Sequence, residues 1–251
     1  MGGADAKGKR ATKGSVVQRT GGEVVIGPPA AAYRVVAVAS PGTVSGTVSV
    51  RTPLKRLPPT PTARDSALCG PSIADSSLVQ KDSSGLGNVV VWLEGVRSGK
   101  DLPLERRLEL ESADCVLTPR VQAAVVNSAV NVLGHDAFRQ HLRFIAAGDT
   151  AARVAILLGR DEQVIPTNLP FRTPGMVIVH DADHPWPRAY LAVFDHPYYA
   201  VTNADGSFSI DGVPPGTYTL ASWHERTGKH AQPVEVTAGR TVKVTVTLEG
   251  K

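Results

Sequence analysis

The sequence has few of the residues on which catalysis, metal clusters and membrane insertion depend. It contains two cysteines and two methionines among 251 residues, and aromatic residues make up 5%. No apolar run approaches the roughly 18 residues of a membrane-spanning helix. The chain also lacks GxSxG, HExxH, P-loop and GxGxxG motifs, so no common enzyme class is indicated. We therefore expect a protein that is not an enzyme.

The two cysteines, Cys69 and Cys115, are far apart in the sequence and belong to no CxxC pair or Cys/His cluster. Zinc-cluster and dithiol-redox sites are therefore not indicated. In an exported protein the two would form one structural disulfide, because oxidising compartments favour disulfides. In a cytosolic protein they would be two buried free thiols. We expect the first alternative, and with it a periplasmic or otherwise extracytoplasmic location.

Positive charge is concentrated near the N-terminus. Residues 1–65 carry ten Lys and Arg against three Asp and Glu, a net charge of +7, whereas the rest carries a net charge of −3. Residues 1–42 are rich in Gly, Ala, Lys and Arg and are predicted to form an extended basic tail. Such a tail suits an acidic protein subunit or an anionic membrane surface. Nucleic acid is not expected as a partner, because only Tyr33 interleaves with the basic residues. The predicted partner-binding residues are Lys7, Lys9, Arg10, Lys13 and Arg19.

The rest of the chain is typical of short strands joined by turns. Nineteen prolines and 24 glycines separate segments in which apolar and polar residues alternate. The segment 134–144 fits either a short helix or a hairpin. These patterns predict an all-β fold. The main predicted strands are 43–50, 88–94, 106–111, 120–126, 154–158, 175–180, 198–202, 207–210, 217–223, 232–237 and 241–248.

The segment DGSFSIDGVPPGTYTLASWHE, residues 205–225, resembles the carboxypeptidase regulatory-like, or transthyretin-like, β-sandwich domain. Its glycines suit turns, and its alternate Phe, Ile, Tyr and Leu side chains suit a core. Residues 43–50 and 88–95 are similar to the opening strands of that domain. The resemblance implies a discontinuous sandwich that comprises residues 43–104 and 188–251.

The intervening residues 105–187 resemble a cupredoxin. Exported bacterial proteins of a methylamine-utilisation-like type join a cupredoxin to the same sandwich. The matching segments here are Cys69-Gly70, CVLTP (115–119), HPWPRAY (184–190) and DHPYY (195–199), in the same order. The resemblance implies a cupredoxin-like insertion, with Trp92, Trp186 and Tyr190 supporting its junction with the sandwich.

The resembling proteins bind copper, and a type 1 copper site needs two imidazoles, a thiolate and a weak axial thioether. The positions that correspond to the two sulfur ligands hold Asp181 and Pro187 here. The position of the upstream histidine corresponds to Leu133, and His135 is displaced from it. Three of the four ligands are therefore missing, and we expect no type 1 copper.

A different metal site remains an alternative. The segment HDADH, residues 180–184, places two imidazoles and two carboxylates within five residues, which suits zinc or copper(II). His141 lies nearby in the same insertion. The opposing interpretation is a solvated loop, and we expect no cofactor. The candidate metal ligands are His180, Asp181, Asp183, His184 and His135.

These observations predict a non-catalytic structural or docking subunit of an extracytoplasmic, membrane-associated electron-transfer complex. The alternative is a periplasmic cupredoxin-like electron-transfer protein that binds copper or zinc. A carbohydrate-binding or surface-binding sandwich is a third hypothesis, which the small number of aromatic residues disfavours.

Overall fold

A computed structural model describes residues 32–81, 85–152, 154–159, 163–167 and 171–250. The five basic residues predicted to bind a partner lie outside these ranges. In the part of the chain that the structure describes, helix is limited to a 3₁₀ turn at Ala63–Asp65 and the short helix α1 at Ser66–Cys69. Within the described ranges no helix has the length and apolar character needed to cross a membrane. The predicted all-β fold class is confirmed.

Twenty strands are described. In the first half of the chain they are β1 Arg34–Val35, β2 Gly42–Val50, β3 Thr60–Pro61, β4 Ser72–Ile73, β5 Val90–Glu94, β6 Ser98–Gly99, β7 Arg107–Ala113, β8 Val116–Thr118, β9 Val121–Val125 and β10 Ala129–Gly134. In the second half they are β11 Gln140–Ala146, β12 Val154–Leu158, β13 Gln163–Pro166, β14 Gly175–Asp181, β15 Arg188–Phe194, β16 Tyr199–Val201, β17 Ser207–Val213, β18 Gly216–His224, β19 Gly228–Val236 and β20 Thr241–Leu248.

The first sandwich consists of the sheets β16-β5-β18-β19 and β17-β2-β20. In β2 the alternation of small or polar residues with valines buries Val44 and Val48 completely, because successive side chains of a strand point to opposite faces. Gly46 lies on the same strand, where an added Cβ would stand 2.0 Å from the Val244 backbone oxygen. Only glycine therefore fits at this close approach of β2 to β20.

The inserted sandwich consists of the sheets β13-β10-β7-β8 and β12-β11-β14-β15-β9. It has a separate core, in which Val132, Leu142 and Phe144 are completely buried. Each of the two sandwiches therefore buries its own apolar faces, as the predicted two-part organisation requires.

Two predicted boundaries and one predicted element need correction. Residues 188–194, which were assigned to the first sandwich, form β15 and pair with β14 and β9 of the inserted sandwich. Residues 32–42, assigned to the tail, include β1, which pairs with β6. The segment 134–144 is neither a helix nor a hairpin, because β10 and β11 belong to different sheets and residues 135–139 cross between them.

Tyr33 shows how the residues assigned to the tail join the first sandwich. Its hydroxyl donates to the Lys100 carbonyl over 2.6 Å, and its ring packs edge-on against buried Tyr198. Residues 32–42 therefore belong to the folded body and not to the basic tail.

A third apolar cluster joins the two sandwiches. Trp92 packs against Phe194 with ring centroids 5.6 Å apart, and Tyr190 packs against Trp223 at 5.1 Å. The prediction that Trp92 and Tyr190 support the junction agrees with these contacts. Trp186 instead packs in a different cluster, at one end of the inserted sandwich.

A buried ion pair crosses the same junction. Arg120, next to β9, donates from Nε and Nη2 to the two carboxylate oxygens of Glu225, over 2.5 and 2.7 Å. Burial alone would lower the pKa of Arg120, but the hydrogen bonds and charge of Glu225 raise it. Tyr190 adds a hydroxyl hydrogen bond to the same carboxylate. This bidentate geometry fixes the inserted sandwich to the first one.

Candidate functional site

The candidate site is one end of the inserted sandwich, which we call the pole. It comprises residues 114–115 between β7 and β8, residues 135–139 between β10 and β11, and residues 182–187 between β14 and β15. Residues 60–73, which precede the insertion in the chain, cover these loops and are called the cap. The pole contains most of the predicted metal ligands, so its contacts decide what the site can do.

A disulfide between Cys69 and Cys115 fastens the cap to the pole. It lies in an apolar cluster with Ile73, Phe138 and Trp186. Within the cap, Thr62 donates from its hydroxyl to the Gly70 carbonyl, and β3 pairs with β4. The cap is therefore attached through both a covalent bond and its own short sheet.

His184 occupies the centre of the pole between two carboxylates. Its Nδ1 lies 2.5 Å from Asp181 Oδ2, and its Nε2 lies 3.2 Å from Asp65 Oδ2 of the cap. Its ring also packs against those of Phe138 and Trp186, at 4.9 and 5.1 Å. His184 thus bridges the pole and the cap.

Asp181 organises the loop that carries His184. Its side chain is completely buried, and Oδ1 accepts backbone hydrogen bonds from His141 and Asp183, each over 3.0 Å. Oδ2 faces His184, so all of this carboxylate's contacts lie inside the protein. An aspartate that accepts backbone N–H groups in this way fixes a turn locally.

The predicted metal ligands do not converge on one point. Successive residues of β14 face opposite ways, so Asp181 is buried whereas His180 is only half-buried on the other face. Asp183 pairs with His141, and His135 Nε2 lies 3.4 Å from Glu111. Across the described ranges, no group of three or more His, Cys, Asp and Glu side chains could hold a metal ion. Four of the five predicted ligands are instead divided among three separate side-chain contacts, and Nδ1 of the fifth, His180, lies 3.1 Å from the Asp181 backbone oxygen.

The donors of the pole do not fit type 1 copper. The sulfur atoms of Cys69 and Cys115 are bonded to each other, so neither is a thiolate ligand. Both nitrogens of His184 face carboxylates. The internal methionine, Met176, packs in the junction between the sandwiches. The thiolate, thioether and free imidazole that such a copper requires are therefore not available here.

Sequence reasoning missed two acidic residues of the site, one in the cap and one in the pole. Asp65 belongs to the cap and contacts His184 from 119 residues away in the chain. Asp136 accepts hydrogen bonds from the Ser112 hydroxyl and the Cys115 backbone, over 2.8 and 2.9 Å. Neither aspartate belongs to a sequence motif that indicates a functional site. Only their contacts in the folded protein identify them.

The first sandwich buries histidines of another kind. His224 is completely buried; its Nδ1 accepts from the Arg226 backbone N–H and its Nε2 lies 3.2 Å from the Ser77 carbonyl oxygen. His196 Nδ1 accepts from the Tyr198 backbone N–H. Burial lowers the pKa of both His224 and His196 below the ordinary histidine value. These two are therefore neutral structural histidines.

Comparison with known proteins gives one family model that matches part of the chain. The carboxypeptidase regulatory-like domain family matches residues 175–249, which run from β14 through β20. No curated protein matches the chain.

Among solved structures, a reduced copper(I) form of an amicyanin variant is 20% identical, with a TM-score of 0.31, and the match covers 35% of this chain and 81% of the amicyanin. Amicyanin from Paracoccus versutus is 14% identical, with a TM-score of 0.29 and coverage of 37% and 85%. A copper-containing nitrite reductase from Thermus scotoductus SA-01 is 18% identical, with a TM-score of 0.29 and coverage of 40% and 24%. These are weak similarities to cupredoxins.

Proposed function

We propose that this chain is a non-catalytic docking subunit of an extracytoplasmic, membrane-associated electron-transfer assembly. The observation that carries the proposal is the set of contacts at the pole. The side chains that could have been metal ligands contact one another there, and they do not face a common point at which a metal ion would lie. An insertion of this kind contributes shape and rigidity. Membership of an electron-transfer assembly is suggested by the resemblance of the insertion to cupredoxins and is an analogy of fold.

An extracytoplasmic location is supported by the disulfide. Cys69 and Cys115 account for both cysteines of the chain. Stable structural disulfides are rare in reducing compartments, so the bond is consistent with an oxidising one.

Docking is supported by the distribution of charge. The basic residues cluster before residue 65, whereas the rest of the chain has a net charge of −3. A basic segment next to a weakly acidic body favours association with an acidic protein surface or anionic lipid. The proposal assigns this contact to Lys7, Lys9, Arg10, Lys13 and Arg19.

The test compares two charge variants of the full chain. In one, these five residues become glutamine; in the matched control, five exposed cations of the folded body do. The controls are Arg97, Arg143, Arg172, Arg240 and Lys243. We expect the tail variant to lose co-purification with the host assembly at an unchanged melting temperature, and the control variant to keep it. Equal retention by both would contradict docking through the tail.

Metal analysis tests the non-redox part of the proposal separately. Protein purified from its native source without chelators is expected to contain less than stoichiometric copper and zinc and to show no intense visible absorption band. Stoichiometric copper with such a band would support the alternative of an electron-transfer protein.

A further inference from the structure

The strand β12 is an end strand of the five-stranded sheet in the inserted sandwich. It pairs with β11 along one side, and its other side is a free edge of the sheet in the part of the chain that the structure describes. Its sequence, VAILL, contains no charged residue and no proline. An edge strand of this kind can pair with a strand of another chain, and natural proteins usually guard their edges with charged residues, prolines or bulges.

The other described end strands of four or more residues are guarded or covered. Asp211 lies in β17, Pro233 in β19 and Lys243 in β20, which are end strands of the first sandwich. Pro166 lies in β13, an end strand of the other sheet of the insertion. At the far end of the sheet that contains β12, Val121 of β9 packs in the junction with the first sandwich. Of these end strands, β12 is the one that has neither kind of protection.

The hydrogen bonds of β11 show which backbone groups of β12 face the free edge. The His141 carbonyl accepts a backbone hydrogen bond from the chain just after β14, so odd-numbered residues of β11 bond toward β14 and even-numbered residues bond toward β12. Leu142 is paired with Ile156. The backbone N–H and C=O groups of Ala155 and Leu157 therefore point to the free edge.

The side chains of β12 differ in size between neighbouring exposed positions. Ile156 and Leu158 are buried in the core of the insertion, whereas Ala155 and Leu157 are exposed on the outer face of the sheet, Leu157 by 53%. An antiparallel strand fits this edge if it places a small residue opposite Leu157 and a larger one opposite Ala155. The strand β12 of a second copy has this arrangement.

We propose that two copies of this chain form a symmetric dimer through their β12 strands. The two-fold axis passes beside Ile156, so Ala155 of each copy lies opposite Leu157 of the other, and each such pair exchanges both of its backbone hydrogen bonds. Each leucine then covers the alanine of the other copy. Like charges directly opposite each other destabilise a strand pair, and self-pairing of β12 brings none together.

The association stops at two copies and is weak. The merged sheet ends at β9 of each copy, which the first sandwich covers, so no further strand can add. A single strand pair buries less than the roughly 1,000 Å² of a stable interface, so the dimer is expected to form only at high concentration. It does not depend on the proposed docking function, because β12 lies in the insertion and the proposed docking residues lie in the basic tail.

Sedimentation velocity of the full chain, at concentrations from about 10 μM to about 1 mM, measures the association. We expect the average mass to rise from 26.4 kDa toward twice that value. Hydrogen exchange at the amides of Ala155 and Leu157 should slow over the same range, because these N–H groups become hydrogen-bonded in the dimer. A monomer at every concentration, or a dimer in which these two amides exchange as fast as in the monomer, would overturn the proposal.

Variants locate the contact. Leu157→Lys should weaken the association at least about tenfold, because a charged residue on an edge strand opposes pairing. Val164→Lys is the matched control: Val164 is 64% exposed on β13, and its replacement should leave the association unchanged. Both side chains are exposed, so both variants should keep the native melting temperature. Ala155→Lys should act like Leu157→Lys and replaces it if that variant does not fold. Undiminished association in Leu157→Lys, or an equal loss in Val164→Lys, would contradict pairing through β12.

Discussion

The first sandwich and the pole of the insertion both bury histidines, but they surround them differently. His224 and His196 of the first sandwich contact backbone groups and are neutral. His184 at the pole faces Asp181 and Asp65. The comparison shows that the neighbours of a buried histidine decide its role more than its burial does.

The two regions also differ in how they are held together. The first sandwich depends on apolar packing between its sheets, with a core of buried side chains such as Val44, Leu93 and Tyr198. The pole depends on links between segments that are distant in the chain: a disulfide, a histidine between two carboxylates, and the hydrogen bonds of Asp136. Four predictions test this contrast, beginning with the ion pair that joins the two regions.

Removing one partner of the Arg120–Glu225 pair should have the largest effect. The side chains are only 15% and 9% exposed, so Glu225→Gln leaves a buried, unpaired guanidinium and should lower the free energy of unfolding by about 3–5 kcal/mol. Urea unfolding measures this. The double variant Arg120→Met, Glu225→Met should recover most of the loss. A small loss in the single variant would show that the two regions are joined by apolar packing alone.

Loss of the disulfide should come next. The bond closes a loop of 46 residues, and replacement of Cys69 and Cys115 by alanine should lower the free energy of unfolding by about 2–5 kcal/mol. Hydrogen exchange should increase in the cap, residues 60–73, and remain unchanged in β17–β20. Equal increases in both places would contradict a local role, and mass spectrometry under non-reducing conditions checks that the native protein contains the bond.

His184 offers a smaller and more specific change. His184→Gln removes the ring nitrogen that contacts one of the two carboxylates, so that carboxylate loses its partner. The free energy of unfolding should fall by about 1–3 kcal/mol. Hydrogen exchange in the cap should rise as well, since the contact with Asp65 is lost. Asp65→Asn keeps the shape of the cap residue and should have a smaller effect. An unchanged cap in both variants would show that the disulfide alone fastens it.

The smallest effect concerns pH. Because burial lowers the pKa of His196 and His224, the unfolded chain binds protons at a higher pH than the folded chain does. Stability from these residues is therefore complete above the ordinary histidine pKa of about 6.5 and is lost as pH falls below it. Each contributes at most about 1.4 kcal/mol per pH unit.

Melting temperatures at pH 7.5 and 5.5 measure the pH effect. The double variant His196→Gln, His224→Gln should show a smaller decline between the two than the native chain does. An identical decline would mean that other groups cause it.

Local patterns predicted the strands well. The apolar run 154–158 and the alternation in 241–248 correspond to the residues of β12 and β20, and the turn sequences around Gly206 separate β16 from β17. The predicted domain boundary at residue 188 was wrong because strand pairing decides where it lies. The strand β15 follows this boundary in the sequence, but it pairs with β9 and β14 of the insertion. The segment 134–144 failed because its residues change from one sheet to the other.

The sequence by itself determined the strand content and many of the turns, because these depend on residue type and on alternation along a single strand. Tertiary structure alone decided which histidine meets which carboxylate and how the cap covers the pole. Those outcomes depend on contacts such as Asp65 with His184 or Arg120 with Glu225, whose partners are more than 100 residues apart. No local pattern records such pairings, because they form only when separate segments pack together.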